Sequence, residues 1–387
     1  MKIVIATPIL FDKTSPFNHL FKDIIGGFLD AGYTIERHVA VRDNKEDDYN
    51  YGYTGKNIRY IKYHRKESAH ENIITRYIRD TITNIREAIG IKKSRADVLF
   101  EDVSYSSFWA VKAAKKKGMR VVAMLQDVWP DNAVQSGLIK RNGLLYKFFE
   151  AWQLYVYKKA DKIICISDDM KDFIVSKGVH KNKIKVIYNW GYGDEIVNIP
   201  WEDNQFVKKY ALRKDKFYAV YAGNIGKMQN VELVVRAAKK LSSYKNIHFL
   251  IIGDGARRDM IEKMTSKMKN VTMLPFQPAE LAEHIYSMAG VNIIPLVEDG
   301  SKTAMPSKTG VVLSCGRPVI FCFGSDTRFG RLVEQYGAGT SVSAVNEDDL
   351  ALAIENKISV YEGSWHLFSD FFVRTKNINQ YVKVVRI

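Results

Sequence analysis

Short apolar runs alternate with longer amphipathic stretches throughout the chain. Runs that are apolar at nearly every position are typical of parallel strands buried on both faces, whereas apolar residues that recur every three or four positions indicate helices. This alternation predicts an α/β fold in which helices cover both faces of a parallel sheet.

The first half contains a first series of alternating elements. Strands are expected at residues 2–10, 34–41, 97–103, 120–126, 161–167 and 183–190. Helices are expected at residues 17–31, 71–89, 105–117, 144–160 and 168–177. The segment 42–66 interrupts this order with charged residues, tyrosines and glycines, and we interpret it as a surface excursion or an extra strand pair.

The periodicity lapses over residues 189–215, which predicts an interdomain linker, and a second series follows. Its strands are expected at residues 218–222, 248–253, 271–274, 291–295, 318–323 and 339–342. Its helices are expected at residues 229–241, 256–268, 279–288, 307–315, 328–335 and 347–356. We therefore expect two Rossmann-like, doubly wound domains, 1–190 and 191–361, that face a central cleft.

Length and composition support this division. The chain has 387 residues, which exceeds the size of about 250–300 residues at which one hydrophobic core stops growing. A hydrophobic fraction of 46% and a charged fraction of 26% exclude a disordered chain. The first residues enter a strand pattern without the features of a signal peptide, and no apolar run approaches the ~20 residues that a membrane span needs. Cys165, Cys315 and Cys322 lie in apolar segments, so we expect reduced core residues in a cytoplasmic protein.

The formal net charge of +15 is uneven along the chain. Residues 1–190 hold 33 Lys and Arg against 22 Asp and Glu, whereas the remainder is nearly balanced. A basic domain favours an anionic partner, and nucleic acid, anionic lipid and a phosphorylated acceptor all qualify. A solvated charged face without a partner is the alternative.

Glycine and polar residues follow several strands of the second series, where ligands bind in open α/β sheets. The sequence YAGNIGK at 221–227 places Gly223 and Lys227 beyond a strand, and IIGDGARR at 251–258 does the same with Gly253. Such turns admit a phosphate close to the backbone, although a tight turn with a solvated lysine is the alternative. Phe276 and Gln277 follow the next strand in the same way.

The segment SKTAMPSKTG at 301–310 carries the most informative of these strand ends. Pro306 and Ser307 precede a short predicted helix, with Ser307 as its N-cap and Lys308 as an added positive charge. Exposed amides at a helix start attract anions, so a diphosphate is expected to dock here. Capping of an interior helix is the alternative.

Asp127 is the candidate catalytic residue of the first half. It follows the strand predicted at 120–126, and a carboxylate there could orient or deprotonate an acceptor hydroxyl. The alternative is that Asp127 caps the following turn. The sequence has no Asp-x-Asp pair at a strand exit and no zinc spacing, so no metal is expected. The missing G-x-G-x-x-G after the first strand argues against a dinucleotide oxidoreductase.

With these residues in view, the chain resembles the GT-B glycosyltransferases, specifically the retaining family 4 group that builds bacterial surface polysaccharides such as capsule or O-antigen. The resemblance covers nearly the whole length. It rests on QDVWPD at 126–131, CISDDM at 165–170, VIYNW at 186–190, YAGNIGKMQN at 221–230, IIGDGARR at 251–258, and MPSK followed by GRPVI at 305–320.

The resemblance implies that the C-terminal domain binds a nucleotide-sugar, expected to be a UDP-sugar, and the N-terminal domain binds the acceptor. Asn224, Lys227, Arg257 and the amides around Ser307 and Lys308 would lie near the diphosphate or sugar. Phe276 and Gln277 would meet the base through main-chain groups, and Asp127 matches a strand-end aspartate of the family. Residues 362–387 would return to the first domain.

One departure concerns the two carboxylates of the family's E-x7-E pair. Val311 and Thr303 stand at their positions, so the ribose contact expected from relatives is absent. This leaves a catalytically silent partner subunit of another glycosyltransferase as the alternative to an enzyme. A sugar-nucleotide epimerase lacks the ionisable groups it needs, and a nucleic-acid binder lacks any recognition motif.

The expected function is a metal-independent hexosyltransferase or N-acetylhexosaminyltransferase that acts on a lipid-linked or glycan acceptor. Attachment to the anionic inner face of the cell membrane through the basic N-terminal domain is expected, particularly through residues 56–66 and the helix that carries Arg76, Arg79 and Arg86 opposite its isoleucines. Several basic residues at about 1 kcal/mol each suffice for peripheral binding.

Overall fold

Seven strands of the first half pair into one parallel sheet in the computed structural model, which describes residues 1–7, 18–42, 53–65, 73–324, 326–356 and 363–386. The strands are β1 (Lys2–Thr7), β2 (Thr34–Arg42), β3 (Ile58–Arg65), β4 (Val98–Asp102), β5 (Arg120–Leu125), β6 (Lys162–Cys165) and β7 (Ile184–Val186). Their order is β3-β2-β1-β4-β5-β6-β7. The helices are α1 (Asn18–Asp30), α2 (Ile73–Lys93), α3 (Ser107–Lys116), α4 (Asp131–Gln135), α5 (Leu144–Lys159) and α6 (Asp168–Ser176).

Six strands of the second half form a separate parallel sheet in the order β10-β9-β8-β11-β12-β13. They are β8 (Phe217–Ala222), β9 (Ile247–Ile252), β10 (Val271–Leu274), β11 (Val291–Pro295), β12 (Val319–Cys322) and β13 (Gly339–Ser341). The helices are α7 (Gln205–Tyr210), α8 (Val231–Lys240), α9 (Arg258–Thr265), α10 (Ala282–Met288), α11 (Thr309–Ser314), α12 (Arg328–Gln335), α13 (Glu347–Glu355), α14 (Gly363–Phe371) and α15 (Arg374–Arg386). The predicted α/β class with two Rossmann-like halves is confirmed.

Contacts divide the chain into two units, one of residues 1–187 and 376–387 and one of residues 188–375. In the first unit, the Arg120 guanidinium donates to the carbonyls of Val384 and Val385 at 2.6 and 3.0 Å. Tyr381 is buried and its ring lies 6.1 Å from that of Phe100. Most of α15 is therefore part of the first unit, although the chain reaches it after the second.

Two expectations about irregular segments need correction. Within 42–66 the described residues form one additional edge strand, β3, which pairs with β2 in parallel rather than forming a strand pair of its own; residues 43–52 and 66 lie outside the described residues. The segment 189–215, expected as the interdomain linker, belongs to the second unit and packs within it. Asn204 is fully buried, caps α7 through the amides of Phe206 and Val207, and donates to the His284 carbonyl at 2.7 Å.

The orientation of α2 is the opposite of the one predicted. Its isoleucines at 78, 82, 85 and 89 are exposed, whereas Asp80, Thr83, Asn84 and Glu87 are buried. The cause is the polar surface that the helix meets, where Tyr105 Oη donates to Asp80 at 2.7 Å and His38 bonds both Glu36 and Tyr63. The side chains of residues 73–77, which include Arg76, are outside the described set.

Cys165, Cys315 and Cys322 are all buried as free thiols. Burial raises the pKa of each thiol, which keeps it protonated and unreactive. In the described part of the chain, no helix combines the length and apolar character needed to cross a bilayer.

Candidate functional site

The carboxyl ends of β8 and β11 mark the point in the second sheet where the strand order reverses. From β8 the chain proceeds outward through β9 and β10, whereas β11, β12 and β13 extend to the other side. Ligands of open α/β sheets bind at such a switch point. The loops after these two strands meet there, because the Val297 amide donates to the Met228 carbonyl at 2.9 Å.

The glycine loops after β8 and β9 interlock through their backbones. The Gly223 amide donates to Ile252 at 2.9 Å, and the Ile225 amide donates to Asp254 at 2.7 Å. Gly223 and Gly253 both have a φ of +148°, which only glycine adopts readily. A Cβ on Gly253 would lie 1.8 Å from the Gly223 carbonyl oxygen. Gly253 is therefore required by the close approach of the two loops, and Gly223 by its backbone conformation.

Lys308 extends from the loop after β11 to the end of β8. Its Nζ donates to the Ala222 carbonyl at 2.8 Å and lies 4.0 Å from the centroid of the Tyr221 ring. A Cβ on Gly223 would be 3.2 Å from this nitrogen. The structure thus brings Lys308 and Gly223 together, two residues that the sequence proposed separately for donor binding.

The contacts of the Lys308 ammonium described above are with a carbonyl oxygen and an aromatic ring, and neither carries a negative charge. Because the side chain is largely surrounded by protein, desolvation lowers its pKa to about 7. A lysine in this state gains its full charge when an anion arrives beside it. The site therefore holds a cationic group suited to a diphosphate.

The turn at 305–309 corrects one detail of the sequence analysis. Helix α11 begins at Thr309 with Lys308 in the N-cap position and no capping side chain, so Ser307 is not the N-cap. The reason is a turn in which Thr309 donates to the Pro306 carbonyl through both its amide and its hydroxyl, at 3.0 and 2.7 Å. Pro306, Ser307 and Lys308 all retain partial exposure, so this turn is not sealed in the core.

Asn224 and Lys227 are exposed beyond the first glycine loop. The Asn224 amide nitrogen lies 3.3 Å from Gln229 Oε1, which holds the side chain over the loop. Arg257, by contrast, forms an ion pair with Glu232 in the first turn of α8. Its charge is partly compensated, and Glu232 was not identified from sequence because the two residues are distant in the chain.

Phe276 and Gln277 follow β10 and differ sharply in exposure. Phe276 is 66% exposed, whereas Gln277 is buried. The Gln277 amide donates to Tyr210 Oη at 2.8 Å and to Pro275 at 2.9 Å, and it accepts from Lys209 at 3.1 Å. These bonds hold the Gln277 side chain against α7. A ligand at this position would therefore contact the main chain of Phe276 and Gln277.

Two tyrosines that the sequence analysis missed support the site from below. Tyr221 Oη donates to the Asn224 carbonyl, and Tyr286 Oη lies 3.4 Å from the Ala222 carbonyl that Lys308 also contacts. Burial raises the pKa of both phenols, so they remain neutral donors. Tyr221 lies inside a strand pattern, and no local signal distinguishes it from a core residue.

At the two positions where the family resemblance implies carboxylates, the chain has Val311 and Thr303, and both side chains are buried. Val311 is part of the apolar surface of α11, and Thr303 Oγ1 donates to the Gly300 carbonyl at 3.3 Å. Neither residue supplies a charged hydrogen-bond acceptor for a ribose. Among the residues that the structure describes, no cluster of three His, Cys, Asp or Glu residues is arranged to hold a metal ion.

Asp127 lies two residues after β5 in the first unit. The residue is exposed at its surface, and partial desolvation by the neighbouring protein raises the pKa of its carboxyl group to about 6. A pKa in this range suits proton transfer near neutral pH. Two histidines of the first unit offer no comparable group, since His19 is in the first turn of α1 and His38 is fully buried in β2 with bonds to Glu36 and Tyr63.

Two family models match consecutive parts of the chain. The model described as Glycosyltransferase Family 4 matches residues 35–190, and the model described as Glycosyl transferases group 1 matches residues 202–359. The chain is also similar to the probable glycosyltransferase WbjE of Pseudomonas aeruginosa, at 25% identity over 61% of this chain and 58% of that protein. For the putative colanic acid biosynthesis glycosyl transferase WcaI of Escherichia coli, the identity is 25% over 58% and 56%. The matches therefore span little more than half of either relative.

Solved structures agree over nearly the full length. The lipopolysaccharide outer core galactosyltransferase WaaB in its apo form aligns with a TM-score of 0.66 and 17% identity over 99% of both chains. The Anabaena protein HepE in complex with UDP and glucose aligns with a TM-score of 0.71 and 13% identity, over 100% of this chain and 99% of that one. At such identities the likeness shows the GT-B fold alone.

Proposed function

Because this chain belongs to the family 4-like glycosyltransferases of the GT-B fold, we propose that it transfers a sugar, with retention of configuration, from a UDP-sugar to a lipid-linked or glycan acceptor. The acceptor is membrane-associated, and the product is a bacterial cell-surface glycan. The family-model matches and the relative WbjE support glycosyl transfer, and the relative WcaI, named for colanic acid biosynthesis, supports polysaccharide synthesis as the setting.

The observation that carries this proposal is the meeting of Lys308 with the interlocked glycine loops at the switch point of the second sheet. The loops leave backbone uncovered by side chains, and Lys308 adds a cation 3.2 Å from the position a Gly223 side chain would occupy. A diphosphate needs both features, since main-chain amides orient its oxygens and a cation balances its charge.

The remaining donor contacts follow from the exposure of the neighbouring side chains. Asn224 and Lys227 reach the solvent side of the loop and contact the sugar or its phosphates. Arg257 approaches the diphosphate from its pair with Glu232. The main chain at Phe276 and Gln277 contacts the base, and the uridine preference is supported by the UDP in the HepE complex.

Charge on the leaving nucleotide is the central problem of the reaction. When the glycosidic bond to phosphate breaks, the electron pair goes to the diphosphate oxygen, and groups aimed at that charge lower the barrier. Lys308 and Arg257 supply this stabilisation without a metal in the proposed reaction. Asp127, as the carboxylate, orients the acceptor hydroxyl or takes its proton, which fits a pKa of about 6.

A thermal-shift screen with UDP, GDP, dTDP and their sugars tests the donor class. A nucleotide at 100 times its dissociation constant stabilises the folded chain by about 2.7 kcal/mol, so UDP compounds are expected to raise the melting temperature. A response to GDP alone would correct the base, and the absence of any response would overturn the enzyme assignment.

A catalytically silent partner subunit is the second candidate, and the buried Val311 and Thr303 favour it. A lost charged hydrogen bond weakens donor binding by about 1.5–3 kcal/mol. Release of UDP from UDP-sugars by the purified protein separates the two functions. Turnover supports the transferase, whereas nucleotide binding without turnover, with or without acceptor glycolipid, supports the silent subunit.

A further inference from the structure

The exposed side of α2 is apolar along more than three turns. Ile78, Ile82, Ile85 and Ile89 are all exposed, and their spacing places them in one stripe. The helix has no freedom to turn this stripe inward, because Asp80 on its opposite side is buried and bonded to Tyr105. A stripe of this kind on a helix normally faces a protein core, so its exposure calls for a partner.

A second apolar surface lies on the same layer of helices. Helices α2 and α3 pack side by side, and α3 packs in turn against α5. The ring of Phe108 on α3 stacks on Trp152 of α5 at 4.9 Å, and Phe148 lies 4.6 Å from Trp152. Leu144 at the start of α5 is 89% exposed, and Phe148 is 49% exposed. The outer sides of α2, α3 and α5 therefore form one surface, which we term the helical face.

The charge of the helical face is of one sign. From Ile78 onward, the carboxylates on the three helices are Asp80, Glu87 and Glu150; the first two are buried and the third pairs with Lys177 at 2.8 Å. The exposed basic residues on these helices are Arg86, Lys92, Lys93, Lys116, Lys147, Lys158 and Lys159. The helical face thus combines aromatic rings with lysine and arginine and, from Ile78 onward, lacks exposed carboxylates. This composition is suited to the headgroup region of an anionic bilayer.

We propose that the helical face docks on an anionic lipid bilayer, with Ile82, Ile85, Ile89, Leu144 and Phe148 inserted among the lipids and Trp152 at the headgroup level. A second copy of this chain fits less well, since pairing two such faces would bring like charges together. The inference rests on the proposed membrane-associated acceptor and names the surface that reaches it. It replaces the expectation that basic side chains of residues 56–66 and α2 make the contact.

Vesicle sedimentation of the full chain tests this surface directly. The unmodified protein is expected to bind vesicles of phosphatidylglycerol and phosphatidylcholine, and to bind pure phosphatidylcholine less well. The double variant Ile82→Ser with Phe148→Ser is expected to lose about tenfold or more in partitioning for each site, since both side chains leave the lipid. The charge reversals Arg86→Glu and Lys147→Glu, made together, are expected to weaken binding about thirtyfold or more with anionic vesicles only.

Leu352→Ser is the matched control, because Leu352 is 57% exposed on α13 of the second unit and is outside the helical face. It is expected to leave vesicle binding unchanged. Equal binding by the double variant and the unmodified protein would overturn the proposal, as would a dimer in sedimentation equilibrium that the double variant converts to monomer. The thermal shift with UDP-glucose, measured in parallel, reports separately on the proposed donor binding.

Discussion

Replacing Lys308 by methionine tests whether Lys308 stabilises the fold or instead binds an anionic ligand. Methionine keeps an unbranched apolar stem of similar length and removes the charge. The Ala222 carbonyl then loses the donor at 2.8 Å but keeps Tyr286 Oη at 3.4 Å. The substitution therefore changes charge more than packing.

The expected magnitude follows from the pKa of about 7 for Lys308. A fall in the pKa from 10.5 to about 7 means that the folded state disfavours the charged form of Lys308 by about 5 kcal/mol. Because the side chain keeps some contact with water, we use about 2–3 kcal/mol for the resulting loss in the free energy of unfolding. Between these two pKa values the unfolded chain binds more protons than the folded chain, so the free energy of unfolding rises with pH over this window. Lys308→Met removes this dependence and stabilises the unliganded fold at pH 7.

The affinity for the donor is expected to fall as the pH rises, whereas the free energy of unfolding rises with pH. A bound diphosphate raises the pKa of Lys308, so the free protein must take up a proton above pH 7. The dissociation constant for UDP-glucose is expected to rise about tenfold per pH unit between about pH 7 and pH 9, since the charged form is the one that binds. In Lys308→Met this slope disappears, and affinity at pH 7 falls by about 1.5–3 kcal/mol.

Isothermal titration calorimetry in buffers of different ionisation enthalpy measures both the affinity and the proton uptake. Lys302→Met is the control, because Lys302 is in the same loop but is about half exposed and pairs with Asp299 at 2.6 Å. The reasoning is refuted if Lys308→Met lowers the free energy of unfolding and leaves UDP-glucose affinity unaltered, or if the unmodified protein binds with no pH dependence.

Three further predictions address other parts of the molecule. Asp127→Asn is expected to lower kcat by about 10²–10⁴ with unchanged UDP affinity. In the unmodified protein the rate is expected to fall below about pH 6, because the carboxylate is then protonated. Steady-state kinetics that show an unchanged kcat in Asp127→Asn would contradict this role. Gly253→Ala is expected to cost over 2 kcal/mol more in urea unfolding than Gly118→Ala, which has a positive φ but no neighbour within 4 Å; equal costs would exclude the clash. Asn204→Ala is expected to cost about 1–3 kcal/mol by the same measurement, because it removes the α7 cap and a buried donor, and a neutral result would speak against both bonds.

Much of the fold could be predicted because its signal is local. Strands β10 and β11 occur at the residues expected, and α12 has the predicted bounds. Each run of Val and Ile specifies its own strand, and each glycine after such a run specifies a turn, without reference to distant residues. The sequence likewise determined that Gly223 and Gly253 are at strand ends, since both directly follow such runs.

Tertiary structure alone decided which of these residues meet. Lys308 reaches the Ala222 carbonyl across 86 positions of chain, and Arg257 pairs with Glu232 across 25. The periodicity of α2 revealed an apolar stripe but not its direction, because that depends on the polar residues that β2, β3 and the segment before α3 place beneath the helix. Local patterns record the faces of an element, whereas the free energy of burying a face depends on the surface opposite, which only the folded chain supplies.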